Sequence, residues 1–276
     1  MKRAGAWGAA VAAALMAGAA FAAGKAVDVE DHGFSFEGPF GTFDQAQLQR
    51  GWQVYSETCA ACHGLKHLYY RNLAEPHGPM FSEGQAKAIA AAFLVMDGPD
   101  ADGEMFERPA ELADGIVSPF PNEQAAAAAN GGAVPPDLSL ITKSRVGFHG
   151  IFGQIWRGGG GAEYVRALLA GYEDPPADLD IGNLYYNTVF PGGQIAMAPP
   201  LVDDIVEYQD GTPATVGNMA TDVAAFLAWA AEPRMVERKQ AGVRNIIVLL
   251  VLAGLLYALT RRLWKPIKQG EEAGDG

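Results

Sequence analysis

Apolar positions follow a helical rhythm in only a few places, separated by long polar stretches punctuated by glycine and proline. Leu48, Trp52, Tyr55 and Cys59 recur at i, i+4, i+7 and i+11, which predicts one buried face of a helix over about 44–58. Thr42-x-x-Gln45 ahead of it reads as a capping box. MATDVAAFLAWAA, residues 219–231, predicts a second helix in which Met219 packs, broken by Glu232-Pro233.

Two further apolar runs sit at the ends. MKRAGAWGAAVAAALMAGAAFA, residues 1–22, has a basic start, an alanine-rich run and a small-x-small site at Ala20-Phe21-Ala22, the build of a secretory leader cut after Ala22. NIIVLLVLAGLLYALT, residues 245–260, is apolar on all sides, and cations flank it at Arg244 and at Arg261, Arg262 and Lys265. Its strictly apolar part, Ile246 to Leu259, is short for a span of roughly 20 residues, but snorkelling cations and Trp264 lengthen it. The expected organisation is a leader (1–22), an exported domain (23–240), a transmembrane anchor (241–262) and a cytoplasmic tail (263–276). Lys and Arg balance across the span, so the leader alone sets this orientation.

Charge narrows the partners. The chain carries 20 Lys and Arg against 32 Asp and Glu, a net of −12, and loss of Lys2 and Arg3 with the leader takes this to −14. Nucleic acid is thereby excluded as a partner and a basic protein is favoured. The acids gather at Asp97 to Glu111, Glu173 to Asp180 and Asp203 to Asp210, placed to steer such a partner.

Export also decides between uses of the only two cysteines, in SETCAACHG at 56–64. Zinc needs ligands that the scattered histidines (His32, His67, His77 and His149) do not supply at ligand spacing. A redox dithiol belongs after a strand, whereas a helix precedes Cys59. Cys59-x-x-Cys62-His63 is the pattern of covalent haem attachment: two thiols spaced for the porphyrin vinyl groups and an adjoining imidazole for the iron. Methionine is the natural sixth ligand of an electron carrier. Among Met80, Met96, Met105, Met197, Met219 and Met235, Met197 stands out, because FPGGQIAMAPPLVDD is an irregular strap stiffened by Pro199 and Pro200.

Several separate stretches together resemble the cytochrome c1 family, the haem subunit of ubiquinol–cytochrome c reductase. They are GWQVYSETCAACHG (51–64), DGPDADGEMFERP (97–109), ANGGAVPPDLSLI (129–141), GAEYVRALLAGYEDPP (161–176), IAMAPPL (195–201), DGTPAT (210–215) and FLAWAAEP (226–233). The resemblance implies a mainly α fold: a cytochrome c-like haem domain with long loop insertions, plus one C-terminal transmembrane helix. It implies one covalently attached haem c on Cys59 and Cys62, with His63 and Met197 as axial ligands. Pro135, Pro136, Asp137 and Leu138 would lie against the haem, with Arg145 on a propionate and Tyr164 packed nearby. It also implies that the 219–231 helix packs on the 44–58 helix near Gly51, with Trp52 and Trp229 in the shared core.

By the same resemblance the chain is part of an enzyme only as a subunit, taking electrons from a Rieske iron–sulfur protein beside cytochrome b. It would pass them to a soluble or anchored cytochrome c, within a dimeric complex in the bacterial inner membrane. Two departures stand out. The family's extra cysteine pair near the methionine strap is missing, with Glu173 at one such place, and 146–159 looks like an insertion that loosens the register of Arg145. The competing readings are a free anchored monohaem cytochrome feeding an oxidase, a haem gas sensor and a dithiol reductase.

Overall fold

The computed structural model describes residues 29–145, 151–177 and 179–274. The leader and residues 146–150 of the supposed insertion lie outside the described residues.

Helix α1, Gln45–Val54, starts on Asp44, whose Oδ1 accepts the Gln47 N–H at 2.8 Å. The capping box expected from Thr42 is therefore not the one used; the Thr42 N–H goes to the Ser35 carbonyl at 3.1 Å. Asp44 reaches the open amide with a short side chain and sets a negative charge at the positive helix end. The helix continues into a π turn, Tyr55–Cys59, closed by the Ala60 N–H on the Tyr55 carbonyl at 2.8 Å. The extra residue per turn brings Cys59 to the margin of the stripe that buries Leu48, Trp52 and Tyr55, where it is half-buried and packs against the same core.

After a 3-10 turn at Tyr70–Ala74 come α2 (Glu83–Ala91) and an antiparallel hairpin of β1 (Leu94–Asp97) and β2 (Phe106–Pro109). Short helices α3 (Glu123–Ala129), α4 (Ile141–Ser144) and α5 (Ile151–Arg157) follow, then α6 (Gly161–Ala170). A two-residue antiparallel pair, β3 (Tyr185–Tyr186) and β4 (Gln194–Ile195), frames the next loop. Helix α7, Val216–Ala231, is capped by the Thr215 side chain on the Asn218 N–H and runs through the core.

Helices α1, α4 and α6 all pack on α7. Its Met219, Val223, Phe226 and Trp229 are buried, and Phe226 touches Trp52, Tyr55 and Trp229 with ring centroids 5.6–5.9 Å apart. The close approach expected at Gly51 is present. A Cβ there would lie 2.6 Å from Phe226 Cβ and closer still to the Asp222 carbonyl. Beside it Arg50 holds the buried Asp222 carboxylate at 2.8 Å and reaches Asp210 at 2.8 Å, so the Asp222 charge is not left alone in the core.

Helix α8, Met235–Gly274, begins after the break at Glu232. From Met235 to Pro266 it is long and apolar enough to cross a membrane: 32 residues, mean hydropathy 2.1 in its most apolar stretch, which is wholly exposed. At about 1.5 Å per residue that length more than covers a hydrocarbon core of about 30 Å. Its first turns are fixed to the domain. Glu232 pairs with Lys143 at 2.8 Å and with Arg238, and Lys239 Nζ donates to the Phe36 carbonyl at 2.5 Å.

Candidate functional site

The C-x-x-C-H turn is held from both sides. Within it, the Cys62 and His63 amides both close on the Cys59 carbonyl, at 3.1 and 2.9 Å. From the core side, the buried Tyr55 hydroxyl donates to the His63 carbonyl at 2.9 Å. From the other side, the Pro135–Ser139 segment clamps residues 63–67. The Leu138 N–H donates to the Gly64 carbonyl at 2.9 Å, the Lys66 N–H to Asp137 Oδ2 at 3.0 Å, and the His67 N–H to Ser139 Oγ at 3.1 Å. His67 has no further part; its side chain is exposed.

The fourth link fixes the imidazole. His63 Nδ1 lies 2.7 Å from the Pro136 carbonyl oxygen. A carbonyl only accepts, so Nδ1 carries the proton and Nε2 carries the lone pair, the arrangement of a metal-ligating histidine. Burial lowers the His63 pKa and keeps the ring neutral.

Neither thiol is in a disulfide. Burial, with Cys62 beside it, pushes the Cys59 thiol up to about 12. A dithiol reductase needs a sulfur activated downwards by positive surroundings, and this one is moved the other way. Two unpaired thiols on one tight turn, next to an imidazole with its outer nitrogen tied off, fit a covalently attached haem in donor type and in order.

Met197 sits half-buried in a loop organised from α6. The Tyr172 hydroxyl donates to the Met197 carbonyl at 3.1 Å, and burial pushes that phenol up to about 12, so it stays a donor. Asn187, fully buried, donates through Nδ2 to the Leu168 carbonyl and accepts the Val189 and Phe190 amides. The Asn187 N–H reaches the Gly193 carbonyl at 2.9 Å. Among the described residues no hydrogen bond joins this loop to the Cys59–His63 turn. The loop is held without a cysteine pair, by Tyr172, the buried Asn187 amide, Thr188 on the Gly171 carbonyl and the β3–β4 pair.

Arg145 and Tyr164 come together. The guanidinium, exposed at the end of α4, hydrogen-bonds Ser144 and lies beside the Tyr164 hydroxyl, whose ring is buried. Burial raises the Tyr164 pKa, and the arginine opposes that rise. Pro135 is half-buried and Pro136 exposed on the clamp.

Of the other methionines, Met219 and Met235 pack in or against the core, while Met80, Met96 and Met105 are exposed. Tyr55, Asp137, Ser139, Tyr172 and Asn187 were not foreseen in these roles. Tyr55, Asp137, Ser139 and Tyr172 lie within the family-like stretches; nothing in the pattern marks Asn187. The acidic clusters are partly committed within the fold, since Asp97 pairs with Arg108, Asp210 with Arg50, and Asp203 accepts the Val216 N–H at 2.7 Å.

A small helical domain that locks a two-thiol, one-imidazole turn between its core and a proline clamp, on one apolar C-terminal helix, has the build of a membrane-anchored haem carrier. The sequence matches the Cytochrome C1 family over residues 34–267. It is 45% identical to cytochrome c1 of Cereibacter sphaeroides, over 94% of this chain and 95% of that one. Cytochrome c1 2, a mitochondrial heme protein of Arabidopsis thaliana, is 50% identical over 84% of this chain and 71% of its own. The cytochrome b/c1 of Bradyrhizobium diazoefficiens is 49% identical over 84% of this chain, which spans about a third (35%) of that longer protein. The chain belongs to the cytochrome c1 family, the haem electron carriers of the bc1 complex.

Proposed function

We propose that Cys59 and Cys62 bind one haem c through two thioether bonds, with His63 Nε2 as proximal ligand and Met197 as the sixth. The observation that carries this reading is the 2.7 Å link from His63 Nδ1 to the Pro136 carbonyl, which sets tautomer and ring orientation in advance. When bound, the haem supplies a one-electron iron couple. The protein's part is to keep both ligands in place in either oxidation state. The clamp at Pro135–Ser139 does so for His63, and Tyr172 and Asn187 do so for the Met197 loop. Arg145, beside Tyr164, would offer its charge to a propionate, and Pro135 and Pro136 would lie against the haem.

In this reading the chain serves ubiquinol–cytochrome c oxidoreductase as its electron-carrying subunit. It stands beside cytochrome b, accepts single electrons from the Rieske iron–sulfur protein and passes them to a soluble or anchored cytochrome c. The leader exports the domain to the periplasm, α8 anchors it, the C-terminus is cytoplasmic, and the complex is a dimer. The test is carbon monoxide binding with a redox titration. The reduced wild type excludes carbon monoxide, and Met197→Leu admits it and has a lower midpoint potential. Ready carbon monoxide binding by the wild type would overturn the closed iron and favour a gas sensor.

A further inference from the structure

Away from the haem site, three carboxylates meet where the segment ahead of α1 crosses α6. One oxygen each from Asp31, Glu37 and Glu163 lies within 4.8 Å of the others. Glu163 is only 2% exposed, yet its Oε1 has no hydrogen-bond partner among the described residues, and the buried Oε1 of Glu37 has none either. A carboxylate withdrawn from water without a partner costs several kcal/mol, so this arrangement calls for positive charge or a proton. Burial, and then the Glu37 carboxyl, push Glu163 up to about 9. The nearby cations are committed around the cluster: Arg157 Nη1 is 3.3 Å from Asp31 Oδ2, Arg166 Nε donates to Thr221 Oγ1 at 3.0 Å, and Lys239 Nζ donates to the Phe36 carbonyl. Asp31 Oδ1 accepts the Gly33 N–H at 3.1 Å, and the His32 ring packs edge-on against Phe34.

We propose that Asp31, Glu37 and Glu163 form a binding site for one hard divalent cation of the Ca2+ type, separate from the haem. The donors are all oxygen, with no thiol or imidazole among them, which disfavours zinc and copper. Carboxylates brought together from a loop and a helix suit the flexible coordination of Ca2+ at about 2.4 Å, whereas Mg2+ demands a near-ideal octahedron at about 2.1 Å and keeps most of its waters. The cation supplies the positive charge that the three carboxylates lack and gives both unpartnered oxygens a partner. It also cross-links the N-terminal segment to α6, the helix whose Leu168 carbonyl holds Asn187 and so the Met197 loop.

The experiment uses the haem-loaded full chain in detergent, stripped of metal with EDTA and then titrated with Ca2+, and separately with Mg2+, by calorimetry and thermal melting. One Ca2+ binds per chain, more tightly than Mg2+, and Tm rises with each decade of free Ca2+. Glu163→Gln and Glu37→Gln each weaken binding at least tenfold. Glu163→Gln keeps the wild-type haem spectrum, so its lost affinity is read on a folded domain. Should that variant fail to fold, Asp31→Asn at the exposed rim supplies the comparison, with the same tenfold loss. No heat and no shift in Tm up to millimolar Ca2+, or unchanged affinity in the variants, overturns the site. Mg2+ binding as tightly as Ca2+ overturns the choice of ion.

Discussion

Gly51→Ala tests whether the α1–α7 contact is as close as the structure has it. The new Cβ would stand 2.6 Å from Phe226 Cβ, where ordinary contact begins at 3.4 Å, and closer still to the Asp222 carbonyl. Backbone cannot swing aside, so the helices must part by more than about 0.8 Å. A gap of 0.5–1 Å forfeits roughly a quarter to a half of each dispersion contact across the seam, and this seam holds Leu48, Trp52, Tyr55, Phe226 and Trp229. Overpacking of this kind costs about 1–3 kcal/mol. The alanine also returns about 1 kcal/mol of helix propensity, which leaves a net loss of about 1–2 kcal/mol.

For a domain of this size the loss lowers Tm by about 2–8 °C. The measurement is the urea midpoint of the haem-loaded chain, followed by tryptophan fluorescence, since Trp52 and Trp229 lie in the seam. Gly84→Ala is the control: it sits in the first turn of α2 with nothing within 4 Å of its would-be Cβ. There the propensity gain stands alone, and stability rises by up to about 1 kcal/mol. A Gly51→Ala protein as stable as the control would refute the close approach and the overpacking argument with it.

Asn187→Ala removes one donor and two acceptor contacts from a fully buried side chain. The expected cost is about 3 kcal/mol, read as a lower urea midpoint together with faster limited proteolysis between Tyr172 and Gln194; wild-type cleavage rates would show that Asn187 does not hold the loop. Asp210 is held down to about 2, first by the Thr212 N–H and hydroxyl and then by Arg50. Its folded pKa is below the ordinary 3.8, so its contribution is complete above about pH 4 and is lost as pH falls towards 2. Stability of the wild type should fall across that window, and Asp210→Asn should fall less; identical acid limbs in urea unfolding would remove Asp210 from the explanation.

What could be read in the chain depended on how far apart in sequence the cause of each feature lay. The helix at Leu48–Tyr55, the packing role of Met219 and the break at Glu232-Pro233 are all written in neighbouring residues, and they stand in the structure where periodicity puts them. The start of α1 was misjudged at the same short range. Asp44 and Thr42 both offer a capping oxygen, and only the path of the preceding loop, with Thr42 bonded to Ser35, decides between them. The π turn is a different case. Tyr55–Cys59 carries no propensity for it; the turn lets Tyr55 bury its ring against Phe226 and give its hydroxyl to His63, while Cys59 packs at the margin of the same core. Longer-range features left still less trace. Asn187 is one amide in a polar loop until Leu168, Val189 and Phe190 surround it. Glu163 looks like an ordinary first-turn glutamate, well placed for the helix dipole, until the segment carrying Asp31 and Glu37 is laid over it. A motif reports the chemistry a chain can perform, while the groups that hold that chemistry still are recruited from distant positions, because only the packed core brings their backbones into reach. The residues that tune His63 and Met197 are therefore to be sought on the clamp and the loop that face them, and less among the neighbours they have in sequence.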